Sequence, residues 1–392
     1  MSQADPSGKP AWARAKAFPQ KPENGDFGVV DGKKVACSFE TLEQLKAYLE
    51  TGKGRLAWVW TPESKRLVAP VEVPELAKSL RKRRLIFAQE DEAEARRTLL
   101  FSGIAVLYAA YVYLTGRQAF GFAGLDLLVL SVFAFLYFTA RPWWEARKGR
   151  AEAETLKGGE MAAEIPESRF DLWMDQQNTP FTIILGGLLI LVGLGQFFID
   201  GLGIQEAGFD KARYALGEKW RLFTGAFLHG NLIHFILNAS ALWYLGRRVE
   251  ILARWPQLVG VFFLSIIGAG WATLTLKPEQ ISVGISGVVC GLLGFLLVFE
   301  TFHLRLVPRP ARRRLVAIVV SLVVIGVLGF RFIDNAAHFG GLATGAAYAA
   351  VVFPKSSSPQ RPAILWQDRL IGGTSLVLIF LSALAALGAM LF

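Results

Sequence analysis

Long stretches free of formal charge recur along this chain, and they restrict its folding more than anything else in it. The clearest are Phe181–Ile199, Leu258–Leu276, Ile281–Phe299, Leu315–Phe330, Ala336–Phe353 and Leu370–Phe392. Leu228–Gly246 also lacks formal charge but carries His229, His234 and Asn238. Upstream, Thr98–Thr115 reads as a further span, and Phe120–Ala140 as a weaker one interrupted by Asp126. A bilayer core about 30 Å thick is crossed by ~20 apolar helical residues. Lipid offers backbone groups no water, so such segments must satisfy their own hydrogen bonds as helices. With 53% hydrophobic side chains over 392 residues, the expected fold is an all-α polytopic membrane protein.

The net charge of +10 raises the question of a nucleic-acid partner, but its distribution argues against one. If the span at Phe181 runs outward, the short inner loops carry Arg247, Arg248, Arg254, Arg305, Arg309, Arg312, Arg313, Arg314, Lys355, Arg361 and Arg369. The outer loops carry only Lys211, Arg213, Lys219, Arg221, Lys277 and Arg331. This is a positive-inside bias, which sets orientation and needs no polyanion. Cys37 lies in the polar N-terminal region and Cys290 in an apolar span, so no disulfide framework is expected. The N-terminal residues lack the apolar core of a cleavable signal, and the first membrane helix is expected to direct insertion.

Composition divides the chain. Residues 1–25 read as a disordered lead, and residues 26–97 as a small cytoplasmic α+β domain ending in a charged helix. Within it, Asp31-Gly32 suggests a hairpin turn. Ser38 suggests the cap of an amphipathic helix closed by Gly52 and Gly54, and "RLAWVW" and "RLVAPVEV" suggest strands. Residues 98–140 form a membrane hairpin flanked by arginines, and residues 141–180 a cytoplasmic linker. Residues 181–353 hold six spans in close succession, and residues 354–392 a linker and a seventh.

Polar groups inside spans cost several kcal/mol unless satisfied, which makes them functional candidates. His234 and Asn238 are four residues apart and share a helix face. Ser286 opens one span within Gly284-Ile285-Ser286-Gly287, and His338 opens another. With the orientation above, all four lie in the outer half of the membrane. Singly, a serine among glycines reads as helix packing and a membrane histidine as an interhelical partner. Together they supply a nucleophile, a base and oxyanion donors, a set suited to acyl transfer. His338 is the span histidine outside the 228–246 segment, so it is the natural base for Ser286. The small-xxx-small pairs Gly287/Gly291 and Gly341/Gly345 would let the two helices touch. His234, Asn238 and the Ser286 backbone N–H could then stabilise an oxyanion.

These motifs resemble those of the rhomboid intramembrane serine proteases over about Phe181–Phe353. Trp220-Arg221 is similar to the family's Trp-Arg pair, "HGNLIHFILN" to its His-x3-Asn segment, "GISG" to its nucleophile box and "AHFGGLATG" to its base box. Glu250 falls where the family has a glutamate at the inner end of a span. The resemblance implies a rhomboid-like six-helix core and a Ser286–His338 dyad without aspartate. It also implies oxyanion assistance from His234 and Asn238 and a structural role for His229. The activity implied is endopeptidase cleavage of membrane-anchored, mostly single-span proteins near the outer face. It implies no metal, cofactor or nucleic acid, in a bacterial plasma (inner) membrane. A noncatalytic rhomboid-like protein that binds client helices is the alternative, and intact Ser286 and His338 argue against it. An ion relay through His234, Asn238 and His338 is a third reading; it leaves "GISG" unexplained and lacks intramembrane carboxylates.

Overall fold

The computed structural model describes residues 8–23, 25–32, 34–51, 56–119, 122–155, 161–198, 203–330 and 333–391. They form two units, one mainly Ala11–Asp175 and the other mainly Gln176–Gly326 with Phe330–Phe392. The architecture is an all-α polytopic membrane protein with a small α+β N-terminal region. Among the described residues, four helices are long and apolar enough to cross a bilayer by length and composition.

In the first unit, strands β1 (Phe27–Asp31), β2 (Ala36–Phe39) and β3 (Leu56–Trp60) form an antiparallel sheet in the order β2-β1-β3. Helix α1 (Leu42–Thr51) covers it, burying Leu45 and Leu49 against Val29, Val59 and Leu76. The β1–β2 hairpin forms, and Lys34 adopts positive φ (65°) in its loop. Ser38 lies in β2 and does not cap α1. Thr41 and Gln44 do so: the Gln44 N–H donates to Thr41 Oγ1 (3.3 Å), and Gln44 Oε1 accepts from the N–H of Glu40 (3.0 Å). Gly52 and Gly54, expected to close α1, lie outside the described residues. "RLVAPVEV" makes only single bridges, Gln20–Arg66 and Val59–Val68, before a 3-10 turn opens at Pro70. Helix α2 (Ala77–Leu114) joins the charged segment and the first apolar span without a break. Its later half exposes Leu100, Phe101, Ile104 and Leu107. Helices α3 (Gly124–Phe135) and α4 (Arg141–Thr155) return along it, joined by a π-helical turn. Arg150 reaches back to Glu92 (3.2 Å). Helix α5 (Ile165–Asp175) ends the unit.

The second unit contains α6 (Pro180–Phe197), α7 (Leu232–Ala253), α8 (Trp255–Leu276), α9 (Ser286–Phe302), α10 (Arg309–Leu328), α11 (Asn335–Val352) and α12 (Trp366–Leu391). Among these, α6, α8 and α12 meet the length and apolarity of a span, as α2 does. Helix α9 is apolar but only 17 residues long, and the rest carry the cost of polar positions: His234 and Asn238 in α7, arginines opening α10, and His338 in α11. Glu250 caps α6 from across the bundle, accepting from the N–H groups of Phe181 (3.1 Å) and Thr182 (2.8 Å) and from Thr182 Oγ1 (2.7 Å). These are N–H groups that a helix start leaves without intrahelical acceptors. Arg248 of α7 meets Glu300 of α9 in a buried bidentate pair, at 2.6 and 3.0 Å. Arg254 alone separates α7 from α8, at φ 87°, ψ 162°.

Helices α9 and α11 meet backbone to backbone. A Cβ on Gly341 would overlap the Gly287 carbonyl oxygen, and one on Gly345 would overlap that of Gly291. Gly340 meets the Gly268 carbonyl in the same way, so α11 is seated against α8 as well. That second seam was not anticipated; its signal is the small-residue run Gly268-Ala269-Gly270.

Candidate active site

Ser286 is the first residue of α9 and half-buried. The chain reaches it through Gly284, whose φ of +106° is one that L side chains rarely adopt. A side chain there is also excluded by space. A Cβ on Gly284 would stand 2.8 Å from His234 Cε1, 3.1 Å from His234 Nε2 and 3.4 Å from Asn238 Nδ2. His234 and Asn238 therefore face the backbone two residues before Ser286.

His338 lies in the first turn of α11, its N–H donating to the Asp334 carbonyl (3.1 Å). Its neighbour Ala337 presents a carbonyl oxygen 3.1 Å from where a Cβ on Gly287 would sit. Thus the residue after Ser286 touches the residue before His338. Ser286 and His338 occupy adjoining first turns of two helices in backbone contact. No hydrogen bond joins their side chains in the structure. Catalytic hydrogen bonds often tighten only when substrate binds.

Asn238 is 6% exposed, and its Nδ2 is buried without a hydrogen-bond partner. Leaving such a donor unmade costs about 1–3 kcal/mol. The N–H groups of Ser286 and Gly287, at a helix start, are further donors without intrahelical acceptors. A buried amide, an imidazole and free backbone N–H groups beside a serine can hold a developing oxyanion.

The remaining predicted residues frame the site. The His229 backbone is clasped by Gln196, which accepts from its N–H (3.0 Å) and donates to its carbonyl (2.8 Å). Its ring packs edge-on against His234, with centroids 5.1 Å apart. Arg221 is 1% exposed, lies over the Trp220 ring at 4.7 Å, and donates to the carbonyls of Gln205 (3.1 Å) and Gly208 (3.0 Å). Beside it, in the loop between α6 and α7, Phe209 exchanges backbone hydrogen bonds with Ser282, at 3.0 and 3.1 Å. The Gly284 N–H donates to the Gly225 carbonyl (3.0 Å). The loop thereby holds the segment entering Ser286. No group of metal-ligating side chains occurs among the described residues.

Asp334 was not among the expected site residues. It caps α11 through Ala337 N–H (3.0 Å) and accepts from Ser282 Oγ (2.6 Å) and Thr273 Oγ1 (2.5 Å). An aspartate directly before an apolar helical run is a legible cap signal. Its partners, far off in sequence, leave none.

Residues 216–355 match the Rhomboid domain family. Over 205 residues, half of this chain, the sequence is 27% identical to the rhomboid protease GlpG of Yersinia pestis (strain Pestoides F), covering 72% of that protein. RHOMBOID-like protein 5 of Arabidopsis thaliana is 28% identical over 131 residues, 33% of this chain and 42% of that protein. RHOMBOID-like protein 4 of the same plant is 29% identical over 139 residues, 35% of each chain. The chain thus spans less than half the length of either plant relative.

Proposed function

For a chain that carries a Rhomboid domain and is homologous to rhomboid proteases and rhomboid-like proteins, we propose intramembrane serine endopeptidase activity. The observation that carries this reading is the glycine seam between α9 and α11, which sets the first turn holding Ser286 against the one holding His338. In the proposed reaction His338 takes the Ser286 proton as Oγ attacks a peptide carbonyl. The resulting oxyanion accepts hydrogen bonds from Asn238, His234 and the Ser286 N–H. The protonated His338 then donates to the leaving amine, and a water, deprotonated by His338, hydrolyses the acyl-enzyme.

The proposed substrates are membrane-anchored proteins, mostly single-span, cleaved near the outer face. The proposed location is a bacterial plasma membrane, with residues 26–97 cytoplasmic by the loop-charge bias. The test is labelling of the purified protein in detergent with a fluorophosphonate probe, alongside cleavage of a transmembrane peptide. Wild type should label at Ser286 and cleave; Ser286→Ala should do neither, and His338→Ala should lose most of both. Undiminished cleavage by Ser286→Ala would overturn the proposal.

A further inference from the structure

The glycine seam fixes how near α9 and α11 approach, but smooth glycine faces do not fix how far one helix slides or turns against the other. Directional bonds at the two helix starts can do so, and four segments converge there on one carboxylate. Ser282, four residues before Ser286, donates from Oγ to Asp334 Oδ2 (2.6 Å). Asp334 stands four residues before His338 and caps its helix through the Ala337 N–H (3.0 Å). Thr273, near the end of α8, donates to the same Oδ2 (2.5 Å) and lies 3.1 Å from Ser282 Oγ. Lys211, in the outer loop and 4% exposed, donates from Nζ to Ser282 Oγ (2.5 Å) and to the Gln280 carbonyl. The chain of donors therefore runs Lys211 to Ser282 to Asp334, joining the approach to the serine to the cap of the histidine helix. Asp334, Ser282 and Thr273 also wall a cavity of about 50 Å³ that reaches Ser286.

We infer that Asp334, tied to Lys211 through Ser282, is a positioning residue that sets the register of Ser286 against His338. This inference rests on the protease reading. A charged Lys211 completes the network, so loss of its proton should loosen it. Burial holds the Lys211 ammonium down to about 8; Asp334 and Asp210 oppose that shift and Lys277 adds to it. The Phe209 ring faces the ammonium at 5.2 Å. Cleavage should therefore fall as pH rises through about 8. Stability should move the other way. Between about 8 and the ordinary 10.5 the unfolded chain binds the extra proton, so the native state gains stability as pH rises. Opposite signs separate a loss of positioning from unfolding.

The experiment measures kcat, KM, fluorophosphonate labelling and melting from neutral to alkaline pH for wild type, Asp334→Asn, Ser282→Ala and Lys211→Met. Asparagine caps helices as well as aspartate does, so Asp334→Asn keeps the fold and removes the charge. We expect kcat to fall on the order of 10-fold in Asp334→Asn and Ser282→Ala, with KM nearly unchanged, because misplacement of reacting groups acts on the chemical step. The alkaline limb should shift to lower pH in Asp334→Asn, where Lys211 loses a favourable charge, and vanish in Lys211→Met. Wild-type kcat in Asp334→Asn, or a loss that tracks melting with the limb unmoved, overturns the inference while labelling and cleavage by wild type uphold the protease reading. A wild-type protein that neither labels nor cleaves overturns both.

Discussion

Gly341, three residues after His338, meets the carbonyl oxygen of Gly287, the residue after Ser286, with no room for a Cβ between them. One turn further in, Gly345 and Gly291 repeat the arrangement. The proposed base and nucleophile are thus brought near by two backbones in contact, which only glycine permits.

Because even a methyl group must part these backbones, Gly341→Ala should already impair cleavage, and Gly341→Leu more so. Overpacking of this kind costs about 1–3 kcal/mol. Displacing reacting atoms by ~1 Å can cost on the order of 10²-fold in rate. Gly373 of α12, with nothing within 4 Å of a Cβ, is the control, and Gly373→Ala should cleave normally. Melting and cleavage are to be read in one detergent. Activity falling only in step with the folded fraction would make Gly341 a general packing residue.

Asn238→Ala should move activity and stability in opposite directions. It removes a buried donor that has no partner, relieving a cost of about 1–3 kcal/mol set against lost packing. If that donor serves the oxyanion, kcat should fall by ~10²–10³. A thermal melt unchanged or raised beside a collapsed kcat is the expected signature. Parallel losses would mean the amide is structural.

The spans, the glycine pairs and the residues around Ser286 were legible because lipid enforces long apolar helices and makes every polar exception visible. The helix ends were less so. α7 runs on to Ala253 through Arg247, Arg248 and Glu250, since Arg248 is neutralised by Glu300 and Glu250 by the α6 N-terminus. Neither pairing leaves a local trace in the sequence. Ser38 reads as a cap because serine fits both a cap and a strand edge, but the Thr41–Gln44 box outcompetes it. Asp334 is hidden for the same reason as Arg248: its importance lies in partners brought close only by the fold.

Sidedness can be checked with single cysteines in a Cys37→Ser background, Cys290 being buried. Glu206, Gln280 and Arg309 are exposed. A membrane-impermeant maleimide on intact cells should modify cysteine at 206 and 280, and at 309 only after lysis. Labelling of 309 alone on intact cells would reverse the orientation and place cleavage at the cytoplasmic face.

The buried Arg248–Glu300 pair ties the helix of His234 and Asn238 to that of Ser286. Glu300 follows Ser286 by fourteen residues, which at 1.5 Å per residue is about 21 Å along α9. Arg248 also donates to the Ala311 carbonyl at the start of α10 (3.1 Å), so three helices meet at this point. Removing one partner leaves the other's buried charge without its bidentate counter-ion, a loss of about 3–5 kcal/mol. Arg248→Met and Glu300→Leu should each lower melting strongly. The double variant should recover most of the loss, since apolar side chains of similar volume often replace a buried pair at little net cost. At that distance the pair has no part in the chemistry, so kcat per folded molecule should stay at the wild-type value in all three. A double variant that melts as low as the worse single variant would show that the Ala311 carbonyl, and not the ion pair, is what Arg248 holds. A kcat that falls while the protein stays folded would mean that the far end of α9, and not only the glycine seam and the Asp334 network, governs the placement of Ser286.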